Sequence, residues 1–154
     1  AAPGHPAAGR AKGGAGDGGT ARVTLAAVVG TAGDRPEDTL RGMGRIAAGR
    51  VDRLVLKETI PYLRGRSREA VLAELRAGAA EAGWHAALPA YESEVEALVA
   101  ELDRPPAGPE VLVILCHTER DALAAILAAR GFRPVTVAAD VLALVGVRDR
   151  SDGA

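Results

Sequence analysis

"VTLAAVVGTAGDRPEDTLRGMGRIA", residues 23–47, contains the two periodicities that decide the fold of this chain. Its first seven residues, 23–29, form a short apolar run rich in β-branched side chains, which predicts a buried strand. From Pro36 onward, apolar residues recur at helical spacing behind two acidic residues that suit the positive end of a helix. Gly49 is the expected end of that helix. The stretch therefore predicts a strand and a helix joined by a polar loop.

The same alternation continues further along the chain. Residues 53–58 predict a second strand, and residues 67–83 predict a helix with Ser67 as its N-cap and Gly83 as its end. The inner face of that helix is expected to carry the apolar residues Val71, Leu72, Leu75 and Ala79.

Two more helices and a strong strand follow. Ser93 and Glu96 have the spacing of a capping box and predict the start of a third helix. "EVLVILC", residues 110–116, is a continuous apolar run, which predicts a strand buried on both faces, as in a parallel sheet. Thr118 is the expected cap of a fourth helix that ends at Gly131.

This repeated alternation predicts an α/β fold, a three-layer Rossmann-like sandwich with a mostly parallel sheet and right-handed crossovers. A weak strand at 135–137 is expected to follow the fourth helix. We expect one domain over residues 21–147, after a flexible linker or tail at 1–20 rich in Ala, Gly and Pro, and before a charged tail at 148–154.

Composition excludes several classes of function. The 154 residues are 48% hydrophobic with a net charge of -1, which predicts a globular protein without the basic field that nucleic acids or anionic membranes require. One cysteine and three histidines exclude a closed structural zinc site and favour a reducing, cytoplasmic setting. No apolar stretch is long enough to span a bilayer, so we expect a soluble protein.

Nucleotide-binding fingerprints are missing. The chain contains no G-x-x-x-x-G-K-[ST] phosphate loop. Gly42, Gly44 and Ala47 have the G-x-G-x-x-A spacing, but they lie inside a helical pattern instead of opening the helix directly after the strand. We therefore interpret these glycines as close-packing residues, and we expect no ATP site of the phosphate-loop class in the chain.

Polar residues follow three of the predicted strands, in segments 30–38, 57–66 and 116–119. Ligands of α/β folds bind beyond the carboxyl ends of the strands, so these segments are the candidate site. Because successive parallel strands place their following loops on one rim, we expect four charged residues to converge there. They are Asp34, Arg35, Arg64 and Arg66.

Cys116 and His117 raise a separate possibility. The cysteine is interpreted as a small buried apolar residue, and no Asp or Glu at an obvious spacing marks it as activated. His117 remains open as an acid/base group or a phosphate ligand. A small independent enzyme built on this pair ranks below the hypotheses that follow.

Several stretches together resemble one family. "GDRPEDTLRGMGRIAAGRVDRLVLKE" at 33–58, "LRGRSREAVLAELRAGAAEAG" at 63–83 and "EVLVILC" at 110–116 are similar to the C-terminal domain of the Mur ligase superfamily, most closely that of cyanophycin synthetases. The resemblance covers about residues 23–130. It implies a Rossmann-like domain that closes over a central ATP-binding domain and helps to place nucleotide and incoming amino acid. The family forms amide bonds through an acyl phosphate.

The resemblance also implies which residues bind substrate or nucleotide. Gly33, Asp34 and Arg35 match the first loop motif of the family, and Arg64, Gly65 and Arg66 match the second. It assigns no catalytic residue and no metal ligand within the chain. The full set of implied binding residues is Gly33, Asp34, Arg35, Asp38, Lys57, Arg64, Gly65, Arg66 and His117.

The chain lacks the central domain and the ATP-grasp portion, and it has "CHTER" at 116–120 where related ligases often have K-G-H-E. We therefore expect it to be inactive alone and to need a Mur ligase-type central domain, in cis or in trans. That domain would supply the site for ATP and Mg²⁺, and the further ligand would be an amino acid or peptide. The alternative is a non-catalytic Rossmann-like binding or protein-interaction module.

Overall fold

The computed structural model describes residues 22–105 and 107–135. The expectations for the tails at 1–20 and 148–154, and for most of the strand at 135–137, lie outside the described residues. The described residues fall into two compact units, one ending at Arg120 and the other beginning at Asp121.

Within the described residues, four strands and four α-helices alternate, with one short 3-10 helix at Ile60–Tyr62. The strands and helices in chain order are β1 (Thr24–Val29), α1 (Glu37–Arg50), β2 (Arg53–Lys57), α2 (Arg68–Glu81), β3 (Ala90–Tyr91), α3 (Glu94–Leu102), β4 (Glu110–Ile114) and α4 (Arg120–Ala129).

The four strands form one all-parallel sheet in the order β3-β2-β1-β4. Val28 of β1 is in register with Val55 of β2 on one side and with Ile114 of β4 on the other. The chain thus moves in one direction from β1 to β3 and then returns across the sheet to β4. Such a reversal creates a topological switch point, here between the carboxyl ends of β1 and β4.

Both faces of the central strands are covered within the unit that ends at Arg120. Ala27 and Val29 point into the core formed with α1 and α2, whereas Val28 and Val55 contact Ala97 of α3. This alternation follows from the two-residue period of a strand. The α/β, three-layer prediction is confirmed, and so is the inner face predicted for α2, whose members Val71, Leu72, Leu75 and Ala79 are all buried.

Helices α1 and α2 approach each other closely at two glycines. A Cβ atom on Gly44 would lie well inside 3.0 Å of the Leu75 carbonyl oxygen, and one on Gly78 would meet the Arg41 carbonyl oxygen in the same way. The close-packing interpretation is therefore confirmed for Gly44. It is wrong for Gly42, where an added Cβ would meet nothing within 4 Å.

Side-chain caps appear at two of the predicted helix starts. The Ser67 hydroxyl accepts the Ala70 N–H at 3.1 Å, and the Ser93 hydroxyl accepts the Glu96 N–H at 3.0 Å. The carboxylate of Glu96 differs from a standard capping box, because it accepts the N–H of Glu92 instead of the N–H of Ser93.

Two expectations about helix starts are corrected. Pro36 occupies the N-cap position of α1, one residue before the first turn, and offers no side-chain cap. Helix α4 begins at Arg120, so Glu119 rather than Thr118 directly precedes it. At this second position the N–H groups of Thr118 and Glu119 both donate to the Glu94 carboxylate of α3.

Strand β4 was expected to be buried on both faces, and this is wrong for the described residues. Val113 is 45% exposed and Leu115, just past the strand, is 36% exposed. Among the described residues β4 pairs with β1 alone. In the same described part of the chain, no helix has the length and apolar character needed to cross a membrane.

Candidate functional site

An open cleft of about 480 Å³ lies beyond the carboxyl ends of β1 and β2. The loop after β1 supplies one wall, and the segment between β2 and α2 supplies the other. The structure thus brings together two of the predicted loops from positions about 30 residues apart. The lining residues are Gly33, Asp34, Glu37, Arg64, Gly65, Arg66 and Ala70.

The two walls of the cleft touch backbone to backbone at Gly33. Its N–H donates to the Tyr62 carbonyl oxygen at 2.9 Å. A Cβ atom at this position would lie inside 3.0 Å of the Leu63 carbonyl oxygen. A glycine is required here because any side chain would push the two loops apart, so Gly33 sets the width of the cleft.

The second wall is a tight turn with two successive left-handed residues, Arg64 at φ 51° and Gly65 at φ 86°. The turn is closed by the Arg66 N–H, which donates to the Leu63 carbonyl oxygen at 3.0 Å. A left-handed non-glycine residue is strained, and such residues cluster at ligand sites. The Arg64 guanidinium lies 5.6 Å from the centroid of the Tyr62 ring, a cation–π contact that orients it.

The cleft carries both signs of charge. Arg66 lies 3.7 Å from the Glu37 carboxylate, a loose pair in which the guanidinium keeps free donors. Within the described residues, neither Asp34 nor Arg64 belongs to an ion pair. Guanidinium groups bind carboxylate or phosphate oxygens with two parallel hydrogen bonds, and a carboxylate can hold an ammonium group. The cleft therefore suits a small ligand that carries both anionic and cationic groups.

Four of the predicted site residues lie elsewhere. Arg35 and Asp38 are exposed and do not line the cleft, and the Asp38 carboxylate accepts the N–H of Thr39 at 2.7 Å. Neighbouring loop residues point in different directions, so proximity in sequence to Asp34 does not bring them into the cleft. Lys57 and His117 belong to a second cluster of polar residues, centred on the switch point.

Lys57 and Glu94 form a buried ion pair at that switch point. The side chain of Lys57 is 0% exposed and that of Glu94 is 1% exposed. The lysine leaves the end of β2 and passes over the end of β1, where a Cβ on Gly30 would approach its Cγ and Cε to 3.0 Å. Its Nζ also lies 2.9 Å from Nδ1 of His117.

The Glu94 carboxylate accepts several hydrogen bonds from the loop after β4. It accepts the N–H groups of His117 at 2.6 Å, Thr118 at 3.3 Å and Glu119 at 2.9 Å, and the Cys116 thiol at 3.1 Å. In return, the Glu119 carboxylate accepts the Glu94 N–H at 2.7 Å at the first turn of α3. This reciprocal contact ties the loop to α3.

These contacts set the protonation of two groups. Burial alone would raise the pKa of Glu94, but the hydrogen bonds from Lys57, from the Glu119 and His117 backbone and from Cys116 together hold it well below its ordinary value. Burial and the neighbouring Glu94 carboxylate raise the pKa of the Cys116 thiol. The thiol therefore remains protonated at neutral pH and is not an activated nucleophile. The expectation that Cys116 is a buried apolar residue is wrong, because it is half-buried and its thiol donates to Glu94.

Sequence reasoning missed Glu94 as a site residue and treated its surroundings only as a helix start. A signal was present, because Glu94 lies on the same helical face as Ala97, Leu98 and Glu101, all of which are buried. An acidic residue on the inner face of a helix is rarely buried unless it is paired. Lys57 is the only lysine in the sequence besides Lys12, and it lies at the end of an apolar strand.

No metal centre is evident in this part of the chain. Across residues 22–105 and 107–135, no group of three or more His, Cys, Asp or Glu side chains is arranged to hold a metal ion. Comparison with known proteins gives no further assignment: no protein-family model matches the chain, and no curated protein matches it significantly.

The lowered pKa of Glu94 predicts an acid-dependent loss of stability. A carboxylate whose pKa falls on folding stabilises the native state above its ordinary pKa, 4.5, and this contribution shrinks as the pH falls below that value. We expect the difference in free energy of unfolding between the wild type and Glu94→Gln to be constant near neutral pH and to decrease below about pH 5. Urea titrations from pH 7 to pH 3 measure it, and a difference that stays constant over this range would contradict the assignment.

Proposed function

We propose that the chain is a closing domain of an ATP-dependent amide ligase, similar to the C-terminal domain of cyanophycin synthetases. The observation that supports this most is the cleft, because the two loops that carry the resemblance, G-D-R at 33–35 and L-R-G-R at 63–66, form its two walls. In this proposal the chain acts beside a central ATP-binding domain, in cis or in trans, in a cytoplasmic setting.

The openness of the cleft favours a role beside a second surface. Ligand sites that function alone bury most of the ligand between apolar walls with a few polar groups. The lining residues here are mostly charged or glycine, and Ala70 is the one apolar side chain among them. A small ligand in the cleft would remain exposed to solvent until another domain covered it. This is what we expect of a domain that closes over a partner domain.

The charged residues have distinct tasks in this proposal. Arg64 and Arg66 would hold carboxylate or phosphoryl oxygens, and Asp34 would hold the ammonium group of an incoming amino acid. The cleft does not fit Mg²⁺ and ATP by itself, because its carboxylates, Asp34 and Glu37, have no third metal ligand beside them in the described residues. Nucleotide and metal are therefore assigned to the central domain.

A second candidate is a non-catalytic binding module that keeps the fold. The observation that favours it is the Lys57–Glu94 cluster, in which the candidate reactive groups of the switch point are engaged with each other. The two candidates differ in one respect that can be measured, since only the ligase domain supports amide formation with a central domain.

Arg66→Ala tests whether the cleft binds ligand. We expect titration with millimolar amino acids to shift the amide resonances of residues 33–35, 37 and 64–70. We expect the variant to bind the responding ligand on the order of tenfold more weakly, since a charge-assisted hydrogen bond contributes about 1.5–3 kcal/mol. Its free energy of unfolding should change by only about 0–1 kcal/mol, because the Arg66–Glu37 pair is loose and partly exposed.

Arg35→Ala is the matched control, because it removes the same charge from the same rim but outside the cleft. Equal loss of affinity in both variants would mean a general charge effect. Unchanged affinity in Arg66→Ala together with a marked loss of stability would make Arg66 a structural residue.

A further inference from the structure

The hydrogen-bond donors around the Glu94 carboxylate are arranged as in an anion-binding site. Three successive backbone N–H groups, from His117 to Glu119, point at its two oxygens. The ammonium group of Lys57, 0% exposed, completes the set from the opposite side. Successive N–H groups in a concave loop beside a fixed cation are the means by which many proteins bind phosphate or carboxylate ions.

These donors lie where a sheet of this kind binds ligands. They lie after β4, at the switch point where open α/β sheets bind ligands. Here the donors are already engaged by a side chain of the same protein, and that side chain is 1% exposed. An external anion could reach these N–H groups only by displacing Glu94 from both the loop and Lys57.

We propose that Glu94 is the built-in ligand of an anion-binding site at the end of β4, and that it closes the switch point to external carboxylates and phosphates. Glu94 thus determines whether the donors at the switch point can accept an external anion. This inference does not depend on the ligase proposal, since it concerns only the residues at the switch point.

Glu101 shows that burial and ion pairing alone do not produce this arrangement. It lies on the same helix, and its side chain is also 1% exposed and paired with Arg53. Its contacts in the described residues are with the side chains of Arg53 and Arg104, without backbone N–H donors. Removing Glu101 therefore leaves no anion-binding loop behind, whereas removing Glu94 leaves one with a buried lysine.

Chemical rescue of the full-length Glu94→Ala variant tests the proposal. We expect its melting temperature to fall on the order of 10 °C below that of the wild type. Sodium formate or acetate should restore about half or more of the loss in a saturable manner, because a ligand that binds only the native state stabilises it. Sodium chloride at equal ionic strength is the reference. The amide resonances of residues 117–119 should shift during the same titration.

Three comparisons make the result decisive. Glu101→Ala should show no saturable recovery with formate, and Glu94→Gln should show none because its amide still fills the space. In the wild type, inorganic phosphate should leave the amides of residues 117–119 unchanged. If Glu94→Ala is unfolded without anion, folding on addition of formate supports the proposal, and failure to fold contradicts it. Equal recovery in Glu101→Ala, or shifts of residues 117–119 with phosphate in the wild type, would also overturn it.

Discussion

Lys57→Met is expected to lower the free energy of unfolding by about 3–5 kcal/mol, because removing one partner of a buried ion pair leaves the other charge without compensation. Lys57 is 0% exposed and its carboxylate partner is 1% exposed. Methionine keeps most of the aliphatic stem that passes over Gly30, so the loss reports the charge instead of a cavity. Chemical denaturation followed by circular dichroism measures the effect.

Arg45→Met is the control for Lys57→Met, because Arg45 forms its ion pair with Glu81 at the surface, with side chains 58% and 42% exposed. An exposed pair of this kind contributes about 0–1 kcal/mol. The double variant Lys57→Met/Glu94→Gln should be more stable than Lys57→Met alone, because it no longer buries an isolated charge. Equal losses in Lys57→Met and Arg45→Met would show that the buried pair has no special role.

Gly44→Ala is expected to destabilise the protein by about 1–3 kcal/mol through overpacking between α1 and α2. The added methyl group would lie well inside 3.0 Å of the Leu75 carbonyl oxygen, which is backbone and cannot rotate away. Alanine is the better helix former by about 0.5–1 kcal/mol, but this gain is smaller than the cost of separating two packed helices. Thermal and chemical denaturation both measure the difference.

Gly42→Ala on the same helix is the matched control and should have the opposite sign. An added Cβ there would meet nothing within 4 Å, so only helix propensity acts and the protein gains about 0.5–1 kcal/mol. Destabilisation by both substitutions, or by neither, would contradict the close approach at Gly44.

Much of the fold could be predicted because its signals are local. The apolar run of β1, the helical spacing of apolar residues in α2 and the Ser67 cap are properties of nearby residues in the sequence, and the structure confirms them. Strand β3 could not be predicted, since Ala90–Tyr91 is two residues long and exists only through its pairing with β2. The exposure of Val113 in β4 was missed because an apolar run does not reveal how much of a strand other elements cover.

The candidate site likewise contains some residues that the sequence could predict and others that it could not. The convergence of Asp34, Arg64 and Arg66 could be predicted from topology alone, since the loops after adjacent parallel strands share one rim. The environment of Lys57 could not, because its partner Glu94 lies 37 residues away and on a different element. A lysine after an apolar strand is compatible with both a ligand site and a buried pair, and only packing distinguishes the two.

The most direct test of the account is ATP-dependent amide formation by a cyanophycin synthetase from which its own C-terminal domain has been removed. The assay compares the truncated ligase alone with the same ligase after addition or fusion of the full chain of 154 residues. We predict that the chain restores amide formation, that Arg66→Ala removes most of the restored activity, and that Arg35→Ala retains it. Amide formation no higher than that of the truncated ligase, with a chain that circular dichroism shows to be folded, would contradict the proposed function.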